Sequence, residues 1–505
     1  GTETTSRGVL SVYDGLGRIK SVDDNTTSGA ISYSYLTDNK VRVNNNRGFN
    51  TTTQYLAYGS PTQTEAVKID APHGVSTAIN YNVFGNVTSI SQGGLTESRV
   101  YDSAQRLCKT VRSDIGNHAY SYNTSGQMTW SAHGDSVNSG TGCDYSVQST
   151  DKITYAYDNH GNLDSTEYGD SSPSKLFDYD NNDQLVKAIS GSVTQEYTYN
   201  DLNLLASETL KVDGVNWVIT YGYDSKGNQS SVQYPSGGSL TYSPNALGQA
   251  TKVGNFANTI AFHGNGQYKS YKHQNGCINT LTQHTSGLPY LQKTTCGTTN
   301  VVYNAYSWDA NGNLTQWDDR QSNTYDLRLT YDQLDRVDNY RNFSNTLLGD
   351  MNYDPMGNIT KFDSVVGSAI HYTYNSSNKR LMSVSGYKNY AFSYDERGNI
   401  VDNGRDTLTY NLAGQVTSIG GYDYVYDAHN RRVKTIDTQG VRYSMYTLSG
   451  KLIHERINGA NRENYYLGSQ LVAHQGAGEK KYIHPDVLGG TAATTNAAKS
   501  PTTIS

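Results

Sequence analysis

Apolar and polar residues alternate along most of this chain in short runs. Leu408-Thr-Tyr410 and Tyr372-Thr-Tyr374 are typical, and a two-residue period puts successive side chains on opposite faces, which predicts strands. Each run ends in Tyr-Asp, two variable residues and Gly or Asn. Asn, Arg or Gln follows, then a second alternating run built on Leu, Val or Ile and often closing on Ser-Ile or Ser-Val. The Asp suits an Asx-type turn onto the backbone two residues on. The Gly, or an Asn in its place, suits the left-handed residue of a three- or four-residue hairpin loop with a bulge. Every unit therefore predicts one β-hairpin.

The unit recurs along nearly the whole chain. Clear copies are Tyr13-Asp14, Tyr157-Asp158 with Gly161, Tyr223-Asp224 with Gly227, Trp308-Asp309 with Gly312 and Tyr353-Asp354 with Gly357. Tyr394-Asp395 with Gly398, Tyr410 with Gly414 and Tyr426-Asp427 complete that series, with looser copies at Tyr101, Tyr179, Tyr199, Tyr331 and Tyr374. Spacing is 16 residues from Tyr394 to Tyr410 and again to Tyr426. Placement this regular reads as architecture. A ring just before each turn would stack on its counterpart in the next hairpin as a ladder, with its hydroxyl reaching water or a backbone partner. Tyr suits such a ladder better than Phe where the sheet faces are partly wet.

Composition sharpens the all-β reading. The chain of 505 residues holds 43 Tyr against 8 Phe, with 49 Gly and only 9 Pro, favouring pleated surfaces and turns over helix. A net charge of −6 without a basic run gives no electrostatic reason to bind nucleic acid. No stretch is apolar and long enough to cross a bilayer, and the N-terminus lacks the regions of a signal peptide. Export by the general secretory route is not written in these residues. Cys108, Cys143, Cys277 and Cys296 show no C-x-x-C spacing and no nearby His pair, so no metal site is expected. Cys277 and Cys296, about one repeat apart, suit a disulfide between neighbouring hairpins; four thiols packed as small apolar groups suit the same residues equally.

Tyr-Asp-x-x-Gly-Asn/Arg-Leu-x-x-Ile/Val, repeated this way, resembles the YD repeat of the Rhs (rearrangement hotspot) proteins, also found in toxin-complex C components and teneurins. Phe262-His-Gly-Asn-Gly266, Asn275-Gly276, Gly287-Leu-Pro289 and Tyr303-x-x-Tyr306-x-Trp308 are similar to Rhs core sequence. Tyr482-Ile-His484-Pro-Asp486-Val-Leu-Gly489 resembles the segment that closes the family's repeat region, with Gly490 in place of its Ser. The resemblance implies a long β-sheet spiralling round a cavity as a hollow shell, over residues 1–480, with the closing segment starting at 481–505. It further implies a non-catalytic container for a C-terminal toxin, exported from a bacterium, with plug or secretion-system subunits as partners and no cofactor. Both ends read as cut from a longer parent, and no Asp-Pro-x-Gly cleavage motif follows the repeats. Autoproteolysis and toxicity are therefore not assigned to these residues. Five hundred residues read as few for complete closure.

Two other function classes fit particular features. Along His263-Gly-Asn-Gly-Gln-Tyr268-Lys269-Ser-Tyr271-Lys272-His273, a strand would place Lys269, Tyr271 and His273 on one face and Tyr268 with Lys272 on the other. A Tyr or His proton shuttle beside a charge-neutralising Lys is what β-elimination of an acidic polysaccharide requires. The plainer reading is that Gly-Asn-Gly ends a hairpin and the cations are solvated. Adhesion through a Tyr- and Asn-rich outer surface, with a glycan as partner, is the third. His484-Pro-Asp486 reads as a turn; His454-Glu455 lacks the second His of a zincin and reads as surface. Asp318-Asp319-Arg320 and Asp23-Asp24-Asn25 read as acidic turns without the Gly and distal Glu of a calcium loop.

Overall fold

The computed structural model describes residues 8–23, 29–56, 65–321, 325–364, 367–476 and 478–503. Among them the chain forms 47 strands, two short 3-10 turns at Pro72–Gly74 and Ser149–Asp151, and no α-helix. No helix is long and apolar enough to cross a membrane. Successive strands pair antiparallel, first 21 of them from Leu10–Tyr13 to Ser239–Thr241, then 13 from Ala257–Phe262 to Tyr390–Ala391. Ser393–Tyr394 pairs with Ile400–Asp402, and 11 more strands run from Leu408–Tyr410 to Pro501–Thr503. Single bridges, Pro244 to Ala250, Val253 to Ala257 and Asp402 to Thr407, carry the chain across the interruptions. The expected boundary after residue 480 falls inside the strand Glu479–Pro485, and the meander continues past it in the same pattern.

The two ends of the strands turn differently. At one end sit the Tyr-Asp turns. At the other, many links are two-residue loops, such as Gly93-Gly94, Asp213-Gly214 and Asn458-Gly459, with both residues left-handed. That is the turn whose twist matches the right-handed twist of paired strands.

The ribbon coils on itself. Plain strand ends early in the chain rest against Tyr-Asp turns far later: Arg47 Nη2 donates to Tyr331 O at 2.8 Å, Gln92 Nε2 to Pro355 O at 3.2 Å and Ser113 Oγ to Ser377 O at 3.2 Å. Arg380 Nε donates to Asp114 O at 2.6 Å, Arg397 Nε to His133 O at 3.2 Å and the Leu412 N–H to Asp170 Oδ2 at 2.8 Å. The turn at Asn45–Gly48 follows the fourth strand and abuts the turn after the twenty-eighth, so one lap takes 24 strands. At about 4.8 Å per strand that is a circuit of roughly 115 Å, or about 37 Å across. The sequence separation across this seam falls from 284 residues at Arg47 to 193 where Gln292 Nε2 donates to Pro485 O. Each lap is shorter than the one before, so the spiral tapers along the chain.

Packing follows the taper. No described residue from 8 to 107 is buried: the wall there is one sheet thick and wet on both faces. Where the laps tighten, the largest apolar cluster forms between them, with Leu210, Trp217, Ile219 and Phe256 from the first lap against Met445, Tyr465, Val472 and Tyr482 from the second. The accessible surface totals 26161 Å². A compact monomer of 55.5 kDa would expose about 18,000 Å². The excess is what a single-layer wall with two accessible faces requires.

Candidate functional site

The wall is built from the turn upward. In the hairpin at Asp14, the Asp14 N–H donates to Arg18 O at 2.9 Å and the Gly17 N–H to Asp14 O at 3.0 Å, with Gly17 at φ +75°. Asp14 Oδ1 accepts the N–H groups of Leu16 and Arg18, and Oδ2 accepts Arg18 Nε at 2.8 Å. The same set recurs at Asp158, Asp224, Asp309, Asp354 and Asp395, with Asn in place of Arg. The Asx turn, the left-handed glycines at 161, 227, 312, 357, 398 and 414, and the bulge at the Tyr are all present as expected. The role of the Asn or Arg four residues after the Asp escaped the sequence reading: it saturates the second carboxylate oxygen.

The tyrosine reading needs correction in part. Among the described residues no repeat tyrosine stacks on its successor. Where the preceding turn carries an arginine, the ring meets its guanidinium, 4.0 Å for Arg18 over Tyr35 and 4.3 Å for Arg336 over Tyr353. The hydroxyl does find backbone in most copies, and then in one place, the first carbonyl of the preceding return strand. Tyr157 donates to Met128 O at 3.0 Å, Tyr223 to Leu205 O at 2.7 Å, Tyr353 to Val337 O at 2.7 Å and Tyr394 to Leu381 O at 2.8 Å. Tyr426 donates to Val416 O at 2.8 Å, and Trp308 substitutes its indole N–H, donating to Pro289 O at 2.7 Å. Phe cannot do this. Tyr13 and Tyr410 make no such bond, and Tyr13 is 57% exposed. Tyr353→Phe is therefore expected to cost about 1 kcal/mol, read from urea unfolding midpoints, while Tyr13→Phe leaves the midpoint unchanged.

The proposed lyase residues are separated. His263 occupies the Asp position of a repeat turn, its N–H donating to Gln267 O at 2.8 Å, and its Nε2 lies 2.8 Å from Leu281 O. Tyr268 donates to Leu467 O across the seam at 2.8 Å. Tyr271 and His273 are buried, with the Tyr271 hydroxyl and both His273 nitrogens unpartnered, while Lys269 and Lys272 are exposed. The expected common face of Lys269, Tyr271 and His273 is thus divided between solvent and core. Burial, with His484 beside it, pushes His273 down to about 3. Burial takes His484 to about 4.

The closing segment is a further repeat turn: the Asp486 N–H donates to Gly490 O at 2.8 Å, Gly489 is left-handed, and Asp486 Oδ1 accepts the N–H groups of Leu488 and Gly490. Tyr482 and His484 lie in the core. His454-Glu455 corrects the surface reading. Both are buried, His454 edge-on to Trp217 of the first lap at 4.6 Å and Glu455 ion-paired with Arg462. Asp318 and Asp319 close the strand Leu314–Asp319, and Asp318 pairs with Arg328 at 2.6 Å; Asp24 and Asn25 lie outside the described residues.

All four cysteines are joined, Cys108 to Cys143 and Cys277 to Cys296. The second pair stands directly opposite in neighbouring strands. His484 brings a ring nitrogen within 4.8 Å of both of its sulfurs, a meeting across laps that sequence spacing could not show. Sulfurs tied in a disulfide offer no thiolate to a metal. Replacing Cys277 and Cys296 by Ser is expected to cost about 3 kcal/mol through the freed loop between them, measured as a lower thermal midpoint than the parent chain.

A further feature with chemical character is a cleft at the seam. Two adjoining cavities of about 350 and about 420 Å³ share Gln229, Tyr242, Lys451 and Tyr466. Glu208 lines the first; its Oε1 accepts Tyr221 OH at 2.5 Å and its Oε2 the Leu448 N–H at 2.5 Å. Burial pushes its carboxyl above the usual range.

The teneurin YD-shell family matches residues 344–466. No curated protein matches the chain in sequence. Among solved structures, TcdB2-TccC3-TEV matches with TM-score 0.76 at 11% identity, and TcdB2-TccC3 without its hypervariable C-terminal region with TM-score 0.74 at 11%. Both alignments cover 98% of this chain and 30% of the other. A Photorhabdus luminescens Tc holotoxin pore matches with TM-score 0.65 at 12% identity, over 97% of this chain and 29% of that one. The chain spans about three-tenths of the length of these structures, and the likeness is one of fold. The Tyr-Asp hairpin recurs from Tyr13 to Tyr426, the teneurin YD-shell match lies inside that run, and the fold of the chain is that of the shells in these solved structures.

Proposed function

We propose that this chain is wall material of a toxin-encapsulating shell, holding a C-terminal guest segment apart from solvent until delivery outside the producing bacterium. The observation that carries the reading is the surface excess, 26161 Å² against about 18,000 Å² for a compact body, on a wall whose first lap takes 24 strands. An inner face supplied by Tyr, Ser, Thr and Asn binds an unfolded chain weakly and without sequence preference, which suits storage followed by release. The TccC3-containing structures share this fold, and one of them is described as lacking a hypervariable C-terminal region.

The test is limited proteolysis of a polypeptide in which a guest segment follows Ser505. The reading expects the downstream segment to resist protease while the shell is native and to be digested once urea opens it. Digestion of that segment at the rate of the same segment alone would contradict it.

A further inference from the structure

The seam cleft contains unspent donors. Nearly every polar group in its wall is already engaged: Tyr223, Tyr466 and Tyr268 donate to backbone carbonyls, Tyr234 to Asn464 O, and Tyr221 to Glu208. Two are not. The Tyr242 hydroxyl and the Lys451 ammonium hydrogen-bond to no described group, and both line the two cavities where these join. Lys451 has no ion pair, and burial alone pushes its pKa below the usual lysine range. A half-buried ammonium with no counter-charge is costly in the empty protein and becomes favourable when an anion arrives. Glu208 does not serve: it makes no ion pair with Lys451, and no carboxylate acts on the Lys451 charge.

We propose that this cleft binds an acidic saccharide, with a uronate-type carboxylate between Lys451 and Tyr242. Two donors match the two oxygens of one carboxylate. Around them Tyr221, Tyr223 and Tyr466 offer ring faces for the apolar side of a sugar, and Gln229, Thr447 and Ser449 offer polar atoms for its hydroxyls. A phosphate ligand fits less well: such sites use guanidinium forks or nests of backbone N–H groups, and the cleft lining contains one lysine and no arginine. Two joined chambers suit more than one sugar unit. The inference is independent of the storage role.

Calorimetric titration of the whole chain tests it, using a galacturonate trisaccharide, its fully methyl-esterified form and inorganic phosphate. The acid is expected to bind at least about 10-fold more tightly than the ester, since a hydrogen bond to a charged group contributes about that much. Lys451→Gln is expected to abolish the preference and Lys451→Arg to retain it, each at an unchanged melting temperature; Tyr242→Phe lowers acid affinity several-fold. Equal binding of acid and ester by the native chain, or binding of neither, overturns the proposal. So does phosphate competing as well as the trisaccharide. If Lys451→Gln does not fold, the acid-to-ester ratio of the native chain decides alone.

Discussion

Replacing Asp427 by Ala is expected to destabilise the protein by about 3–5 kcal/mol, the largest effect of any single repeat position. Asp427 is fully buried; its Oδ1 accepts the N–H groups of His429 and Arg431 and its Oδ2 accepts Arg431 Nε at 2.8 Å. Its turn is wedged into the seam. Ala428 packs with Ala188 and Tyr197 of the first lap, and His429 Nε2 meets the Tyr197 hydroxyl at 3.1 Å. Removing the carboxylate leaves the largely covered Arg431 guanidinium without its counter-ion and unlocks a lap contact as well. The comparison is Asp14→Ala, which deletes the same bonds from a turn open to water. Urea unfolding should show a large fall in midpoint for the first and a small one for the second. Equal falls would mean that the turn alone, and not its place in the seam, sets the cost.

Acidification from pH 7.5 to 4.5 is expected to cost on the order of 5 kcal/mol, mostly through His273 and His484. Their folded values, about 3 and about 4, lie below the ordinary histidine value. The fold therefore favours the neutral rings. Their contribution is complete above about pH 6.5 and is lost as the pH falls from there toward 4, because the unfolded chain takes up protons that the folded one refuses. His273 faces Tyr271, Tyr482 and His484, and His484 Nε2 lies 2.8 Å from Thr495 Oγ1, so no carboxylate waits to stabilise the charged forms. His118, stacked on His133 at 3.8 Å and pushed to about 4 by burial, adds in the same direction with solvent screening reducing its share. The turn carboxylates, lowered by their hydrogen bonds, lose their contribution only below the ordinary Asp range, under this window. Glu208, raised by burial, works in the opposite sense and offsets a part. Denaturant midpoints at the two pH values check the sum, and His273→Gln should flatten the slope. An unchanged midpoint would contradict the assigned burial.

Local chemistry was legible in the chain, because the hairpin is a local object. Asp14, Gly17 and the residues between them close their own turn, and alternation in Leu408-Thr-Tyr410 needs no distant partner to be read. The tyrosine was half legible. Its position before the turn marked a structural role, but the hydroxyl's target lies one hairpin back, across a bulge whose free carbonyl no composition reveals. Contacts between laps were not legible at all. His454 and Glu455 look like surface residues in their strand and are buried only because Trp217, more than two hundred positions earlier, comes round beneath them. Lys451 and Tyr242 belong to different laps and share nothing in sequence. The proposed face of Lys269, Tyr271 and His273 failed for the same reason: strand alternation assigns a side, and the second lap decides whether that side meets water.

The seam also explains how a thin wall persists. The described residues from 8 to 107 contribute no buried side chain, so they lack the apolar burial that dominates ordinary folding. It is held by ladder hydrogen bonds, by the saturated carboxylate of each turn, and by anchors such as Arg47, which pairs with Asp309 at 3.2 Å and Asp335 at 2.6 Å on the next lap. Opening is therefore expected to begin in the stretch before Cys108, with the tapered, apolar end around Leu210 and Tyr465 opening last.

A single-particle electron cryomicroscopy map of the chain tests the central claim most directly. The account predicts a wall one sheet thick, close to 10 Å, winding about twice around a lumen of solvent density and narrowing toward the C-terminal lap. A particle filled with protein density to its centre, or two sheets packed face to face along the first hundred residues, would contradict it.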